Sequence, residues 1–271
     1  MPRFSANLTF LWPELDPYDR CQAAADAGFK AVEILFPHEM DLDRLERALT
    51  SAGVELVLFD APPGEKGERG MLCLPGREED CLAAVRQALE LAKRFGTRRI
   101  NLLAGMLPPN LPRSQALEAA AATLRRAGDL VDKTGMKLLI ENISPAVAEG
   151  YFASIVEESA ELLAAASHPS TGMQLDQYHV TMMGGDAVAA VERYADSIGH
   201  VQIADVPGRH QPGTGQAPIS AFLARLDEVG YDGYVGLEYV PQGSMDEALA
   251  WLPRAQRSYA DGERKGYVRH P

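Results

Sequence analysis

Cysteine is scarce and scattered: Cys21, Cys73 and Cys81 are the three in 271 residues, and they form no C-x-x-C pair or metal-spaced cluster. That argues against a disulfide framework and a thiolate metal site, and an odd set of separate thiols fits a reducing compartment. Basic residues are also outnumbered, 26 Lys and Arg against 38 Asp and Glu, for a net charge of −12. Phosphate backbones are held by clustered Lys and Arg, so the balance argues against a nucleic-acid partner. No stretch approaches the roughly 18 consecutive apolar residues of a membrane span. The opening Met-Pro-Arg-Phe-Ser-Ala-Asn has no apolar run behind its basic residue, so no signal peptide is expected. These absences predict a cytoplasmic protein with no membrane contact. Linkers, low-complexity tracts and composition shifts are missing too, so residues 1–271 read as one domain.

What is present is alternation. Short β-rich runs fall at Arg3–Asn7, Ala31–Leu35, Glu55–Phe59, Arg99–Leu103, Lys137–Glu141, Gly172–Asp176, His200–Ala204 and Tyr234–Glu238. Amphipathic segments follow them at Pro17–Ala27, Asp41–Ser51, Arg77–Phe95, Arg113–Thr134, Ile155–Ala166, Ala187–Tyr194, Ile219–Val229 and Met245–Tyr259. In the third, Leu82, Val85, Leu89 and Ala92 recur at helical spacing, and Gly96 supplies a left-handed stop. Gly28, Gly53, Gly135 and Gly230 close four others. Strict βα alternation predicts a parallel sheet, and eight units predict closure into a (β/α)8 TIM barrel in preference to an open doubly wound sheet. Asp60–Gly76 and Asp205–Ala217 are too long for plain βα turns and fall on the C-terminal face, where barrels of this kind keep their chemistry.

The informative residues stand at strand ends. Side chains alternate with period two along a strand. If Leu138 and Ile140 pack outward, then Leu139 and Glu141 point into the barrel, as do Gln174 with Asp176, His200 with Gln202, and Gly236 with Glu238. Four consecutive strands thus deliver Glu141, Asp176, Gln202 and Glu238 to one mouth. A lone strand-end Glu is commonly a solvated residue or a cap, but four such side chains in series point to a site. Three converging carboxylates raise each other's pKa unless a positive group sits among them. A divalent cation is the simplest such group, and all-oxygen ligation suits Mg²⁺ or Mn²⁺ better than Zn²⁺.

Other polar residues divide less sharply. His179, read as the start of a loop, is a candidate for a substrate hydroxyl. Arg209 and His210 are candidate binders of a carboxylate or hydroxyl. Lys66 and Arg69 lie in the long third loop, where they either clamp a substrate carboxylate on closure or remain solvated. Glu33 points inward on the second strand and is expected to have a structural role lower in the barrel. Gly213-Thr-Gly215 is more simply a turn than a phosphate cradle, because P-loop spacing is missing.

Several motifs then assemble. Phe59-Asp-Ala-Pro-Pro-Gly, Gly67-Glu-Arg-Gly70, Pro75-Gly-Arg-Glu-Glu79, Asn101-Leu-Leu-Ala-Gly105 and Glu141-Asn-Ile resemble the hydroxypyruvate isomerase family. So do Gln174-Leu-Asp-Gln-Tyr-His179, Gln202-Ile-Ala-Asp-Val-Pro-Gly-Arg-His210, Pro212-Gly-Thr-Gly215 and the run from Gly230 to Pro241. That family is grouped with the xylose-isomerase-like barrels. The resemblance implies that Glu141 and Glu238 are the proton donor/acceptor pair and that Glu141, Asp176, Gln202 and Glu238 surround a divalent metal. Where Gln202 stands, related ketose 3-epimerases carry a histidine, and relatives tend to carry an acidic residue where Gln216 stands.

The activity implied is isomerisation of hydroxypyruvate and tartronate semialdehyde through a metal-stabilised enediolate, with a small sugar acid as partner and room for a homo-oligomer. The alternative within the class is a 2-oxo-tetronate isomerase acting on four carbons. A phosphodiesterase of the endonuclease IV type needs a histidine-rich zinc cluster, against which stand six histidines and the acidic balance. A catalytically silent sugar-binding barrel is opposed by the presence of both Glu141 and Glu238.

Overall fold

Residues 2–258 are described by a computed structural model. Eight strands form: β1 Arg3–Asn7, β2 Ala31–Glu33, β3 Glu55–Asp60, β4 Arg99–Asn101, β5 Lys137–Glu141, β6 Thr171–Asp176, β7 Ile198–Ile203 and β8 Tyr234–Leu237. They pair in parallel in chain order, and β1 pairs with β8, so the sheet closes into the (β/α)8 TIM barrel that the alternation predicts. The helices are α1 Asp19–Asp26, α2 Leu42–Ala52, α3 Glu78–Phe95, α4 Arg113–Val131, α5 Val156–Ala166, α6 Gln177–Met182, α7 Ala187–Tyr194, α8 Ile219–Glu228, α9 Met245–Ala248 and α10 Arg254–Arg257. None among the described residues is long and apolar enough to cross a membrane.

Local chemistry explains the boundaries. In α2 the Asp41 side chain accepts from the backbone N–H groups of Asp43 and Arg44, and Gly53 ends the helix at φ +64°. Helix α3 carries Glu78, Glu79 and Asp80 in its first turn and Lys93 and Arg94 in its last, matching its dipole. Two expectations fail. The short α6 stands where a loop is expected after β6. The segment Met245–Tyr259 is not one helix: α9 is capped by Ser244 and soon ends, and Pro253, which cannot donate a helical hydrogen bond, precedes α10. Tyr259 lies outside the described residues.

The alternation within strands is as read. Leu138, Ile140, Met173, Leu175, Val201, Ile203, Val235 and Leu237 belong to the large apolar layer. Their sequence neighbours face inward. There Leu139 plugs the barrel because two strands supply glycine: a β-carbon on Gly199 would come within 2.5 Å of Leu139 Cδ2, and one on Gly172 within 3.3 Å.

Beside this plug the interior is polar and centred on Glu33. Its Oε1 accepts from Ser5 Oγ at 2.5 Å and lies 2.8 Å from His200 Nε2. Its Oε2 accepts from Gln202 Nε2 at 2.9 Å and Asn7 Nδ2 at 3.4 Å. Strands β1, β2 and β7 are thereby tied across the barrel, the structural role expected of Glu33. Glu33→Ala strands these buried donors, so unfolding free energy should fall by at least about 1–3 kcal/mol, the cost of leaving a buried polar group unsatisfied. Urea denaturation measures it, and Glu33→Gln should cost less because one acceptor oxygen remains.

Candidate active site

Asp176 does two jobs from one position. It ends β6, and its Oδ1 caps α6, accepting from Tyr178 N at 2.7 Å and His179 N at 3.4 Å. That leaves Oδ2 buried without a hydrogen bond. The immediate turn into α6 brings His179 back over the strand end, with Nε2 3.4 Å from Asp176 Oδ2. One ligand atom each from Glu141, Asp176 and His179 lies within 4.8 Å of the others, a group that can hold a metal ion.

The state of His179 decides its part. The backbone N–H of Ser144 donates to its Nδ1 at 3.2 Å, and Ser144 Oγ is 3.0 Å from the same nitrogen. A backbone N–H can only donate, so Nδ1 is the unprotonated nitrogen. Burial lowers the His179 pKa to about 4, so near neutral pH the ring is neutral and its proton sits on Nε2. Nε2–H is then a hydrogen-bond donor facing Asp176, and it can ligate a metal only if the Ser144 contact is given up.

The positive group among the carboxylates is Arg209. Its Nη2 donates to Glu238 Oε1 at 2.8 Å and stands 3.7 Å from Asp176 Oδ2. The guanidinium lies over the rings of Phe10 and Tyr178, 5.1 Å from each centroid. Its backbone adopts φ +54°, a region that a β-carbon disfavours, and its carbonyl accepts from Val240 N at 2.8 Å. Glu238, just past β8, keeps a second buried oxygen, Oε2, without a partner.

Both glutamates hold their protons well above the ordinary carboxylate range. For Glu141 the causes are burial first, then the charges of Glu238, Asp176 and Asp60. For Glu238 burial also leads, but Arg209 opposes it more strongly than any neighbouring carboxylate adds to it. Sequence reasoning overlooked a further group on the other flank. Asn101 Nδ2 donates to Glu141 Oε2 at 2.8 Å and to Asp60 Oδ1 at 3.2 Å. Burial pushes the Asp60 carboxyl up to about 8. Their strand-end positions, the same signal that singled out Glu141, were available to find both.

The remaining candidates separate. Gln202 pairs in register with Asp176, but its amide is engaged below the mouth, with Oε1 accepting from Gln174 Nε2 at 2.7 Å and Nε2 donating to Glu33. Its oxygen keeps one further lone pair. His210 turns away, its Nδ1 2.8 Å from the Val240 carbonyl oxygen. Lys66 and Arg69 are exposed in the loop after β3 and pair with no described residue. Gly213-Thr-Gly215 is a turn: Gly213 N and Gly215 N donate to Asp205 Oδ2 at 2.8 and 2.9 Å, so its amides are already taken. Gln216 is exposed at that rim.

The donor set fits a hard divalent cation. Asp176 Oδ2 and Glu238 Oε2 are buried oxygens that make no hydrogen bond, and Arg209, among the described residues the one cation beside them, leaves both with lone pairs to offer a metal ion.

Residues 21–255 match the family described as the xylose isomerase-like TIM barrel. The chain is similar to the 2-oxo-tetronate isomerase of Cupriavidus necator, 36% identical and covering 93% of this chain and 98% of that one. It is also similar to the hydroxypyruvate isomerase of Escherichia coli, 35% identical with the same coverage of 93% and 98%. A crystal structure titled AP endonuclease, family 2, from Brucella melitensis superposes with a TM-score of 0.89 at 36% identity, over 93% of this chain and 98% of that one.

If the cation is held by oxygens, Asp176→Asn keeps the helix cap but removes the charge, and Mn²⁺ affinity should fall by at least about 100-fold. His179→Gln should cost no more than about tenfold, the low end for a residue that acts behind the ligands. Equilibrium dialysis of Mn²⁺ reads both. Equal losses would make His179 a ligand.

Proposed function

The chain belongs to the xylose isomerase-like TIM barrel family, and we propose that it isomerises a small sugar acid by moving a carbonyl between adjacent carbons. The reaction is hydroxypyruvate to tartronate semialdehyde or its four-carbon counterpart on 2-oxo-tetronate. The observation that carries the reading is the pair of buried carboxyl groups, Glu141 and Glu238, set in different electrostatic surroundings at one barrel mouth. The two kinds of isomerase among the relatives support it.

Arg209 keeps Glu238 the more readily ionised of the two, so Glu238 is the base that takes the proton from the hydroxyl-bearing carbon. Glu141, raised by burial and three carboxylates, holds a proton to deliver to the neighbouring carbon. His179 Nε2–H is the donor for a substrate oxygen, and Arg209 extends to the substrate carboxylate. Asp176, Glu238, the free lone pair of Gln202 and the unprotonated oxygen of the Glu141 carboxyl are the oxygens that would hold Mg²⁺ or Mn²⁺. Such a cation would supply stabilisation of negative charge on the substrate oxygens. Lys66 and Arg69, exposed on the loop after β3, would be outer substrate contacts at the rim across from Arg209.

The same reading takes residues 1–271 as one domain working in the cytoplasm on a small molecule, without nucleic acid. The cysteines Cys21, Cys73 and Cys81 are free and buried, as a reducing compartment allows. An endonuclease activity is not favoured: the metal-holding group found among the described residues contains one histidine.

Glu141→Gln and Glu238→Gln preserve size and an oxygen while removing the proton-transfer group. Each should lower kcat by about 10² to 10⁴-fold with little change in binding of an inert analogue. Steady-state kinetics with both oxo acids tests this, and wild-type turnover by both metal-loaded variants would end the isomerase reading.

A further inference from the structure

We propose that Asp60 and Asn101 form a hydroxyl subsite on the β3–β4 flank of the barrel mouth and take the terminal hydroxyl of a four-carbon acid. This rests on the isomerase reading and names the substrate length within it.

Asp60 and Asn101 end neighbouring strands and are partners in register. Both are buried, at 3% and 0% exposure. The contrast with Glu33 is informative. Both Glu33 oxygens are met by side chains from other strands, so that carboxyl ties the barrel together. Asp60 accepts one side-chain hydrogen bond, from Asn101, whose amide goes on only to Glu141. Asn101 Oδ1 is buried and unpartnered, and among the described residues the Asn101 bond is the one side-chain hydrogen bond that reaches the Asp60 carboxyl. Two adjacent polar groups, the Asp60 carboxyl and the Asn101 amide oxygen, are left able to meet a hydroxyl beside the reacting glutamate, and neither strand needs them for its hold on the barrel.

The surroundings keep this flank in place. The loop after β3 is fastened to the one after β4: Ala61 N donates to the Asn101 carbonyl at 2.8 Å, and Cys73 N donates to the Ala104 carbonyl at 2.9 Å. Gly70 bridges Ala104 at φ +100°, where a β-carbon would run into the Leu103 carbonyl. The two groups are therefore fixed, as recognition of a hydroxyl requires.

Placement sets substrate length. Arg209 and Glu238 occupy the β7–β8 flank, which receives the carboxylate, and Glu141 on β5 stands between them and Asp60. In a three-carbon acid the terminal hydroxyl is itself the reacting group. A four-carbon acid carries one more hydroxyl beyond the reacting carbons, on the side where Asp60 and Asn101 stand. A site built to hydrogen-bond that hydroxyl rejects an analogue lacking it, because its polar atoms are then buried unpaired.

The probes are two inert acids, threonate and its 4-deoxy analogue, titrated calorimetrically into the Mn²⁺-loaded wild type, Asp60→Ala and Asp60→Asn. The wild type should bind threonate about two- to tenfold more tightly than the deoxy acid, the range for a hydrogen bond between neutral groups. Asp60→Ala should bring the ratio close to one by weakening threonate alone, and Asp60→Asn should keep part of it. Equal affinities in the wild type, no threonate binding, or equal weakening of both acids in Asp60→Ala would overturn the subsite. Turnover of hydroxypyruvate and 2-oxo-tetronate by the same wild-type preparation separates the two readings. Discrimination without turnover removes the isomerase and leaves the subsite, while turnover without discrimination does the reverse.

Discussion

Everything at the barrel mouth depends on how carboxyl groups are kept in a space largely closed to water. Glu33, Asp60, Glu141, Asp176 and Glu238 are all buried, and an isolated buried carboxylate is too costly to persist. Each is met differently. Glu33 is surrounded by donors, while Asp176 spends one oxygen on a helix cap. Glu141 and Asp60 are pushed toward their neutral forms, and at Glu238 the same push is opposed by Arg209. The differences between these solutions are what give otherwise equal carboxyls separate roles.

Arg209 can act on two of them only because its loop is built to aim it. Asp205 collects backbone N–H donors from Val206, Gly213, Gly215 and Ala217, which fixes the segment after β7. These donors outweigh burial and lower the Asp205 pKa. The left-handed φ at Arg209 then turns its side chain over Phe10 and Tyr178 toward Glu238. Strain held at such a residue is reasonable where the side chain it directs has work to do.

The architecture was legible because barrel strands announce themselves by period and order. Leu138 and Ile140 against Leu139 and Glu141 could be assigned to faces by counting, and the same count turned Glu33 inward. The count could not measure reach. It set Gln202 beside the carboxylates without showing that Glu33 and Gln174 already hold its amide. Helix α6 was too short for a periodic signal, so His179 was read as loop although Asp176 is the helix cap that marks its start. Asp60 was passed over as the first residue of a long loop when it is the last of a strand. Element ends decide such cases, and they depend on tertiary hydrogen bonds that a linear pattern does not contain.

The central claim is that the charge of Arg209 makes Glu238 the more readily ionised of the two glutamates, and so the base, with Glu141 as the acid. The direct measurement is the pH dependence of kcat/KM for the metal-loaded wild type, Arg209→Lys and Arg209→Met, since the acid limb of that profile reports the base in the free enzyme. Removing a positive charge raises the pKa of a neighbouring carboxyl, so more alkaline solution is needed to ionise it. The account predicts that the acid limb moves to higher pH by about one unit or more in Arg209→Met, as expected for loss of an opposite charge at hydrogen-bond distance, and stays near the wild-type position in Arg209→Lys. An acid limb that does not move in Arg209→Met, whatever happens to the height of the profile, would contradict it.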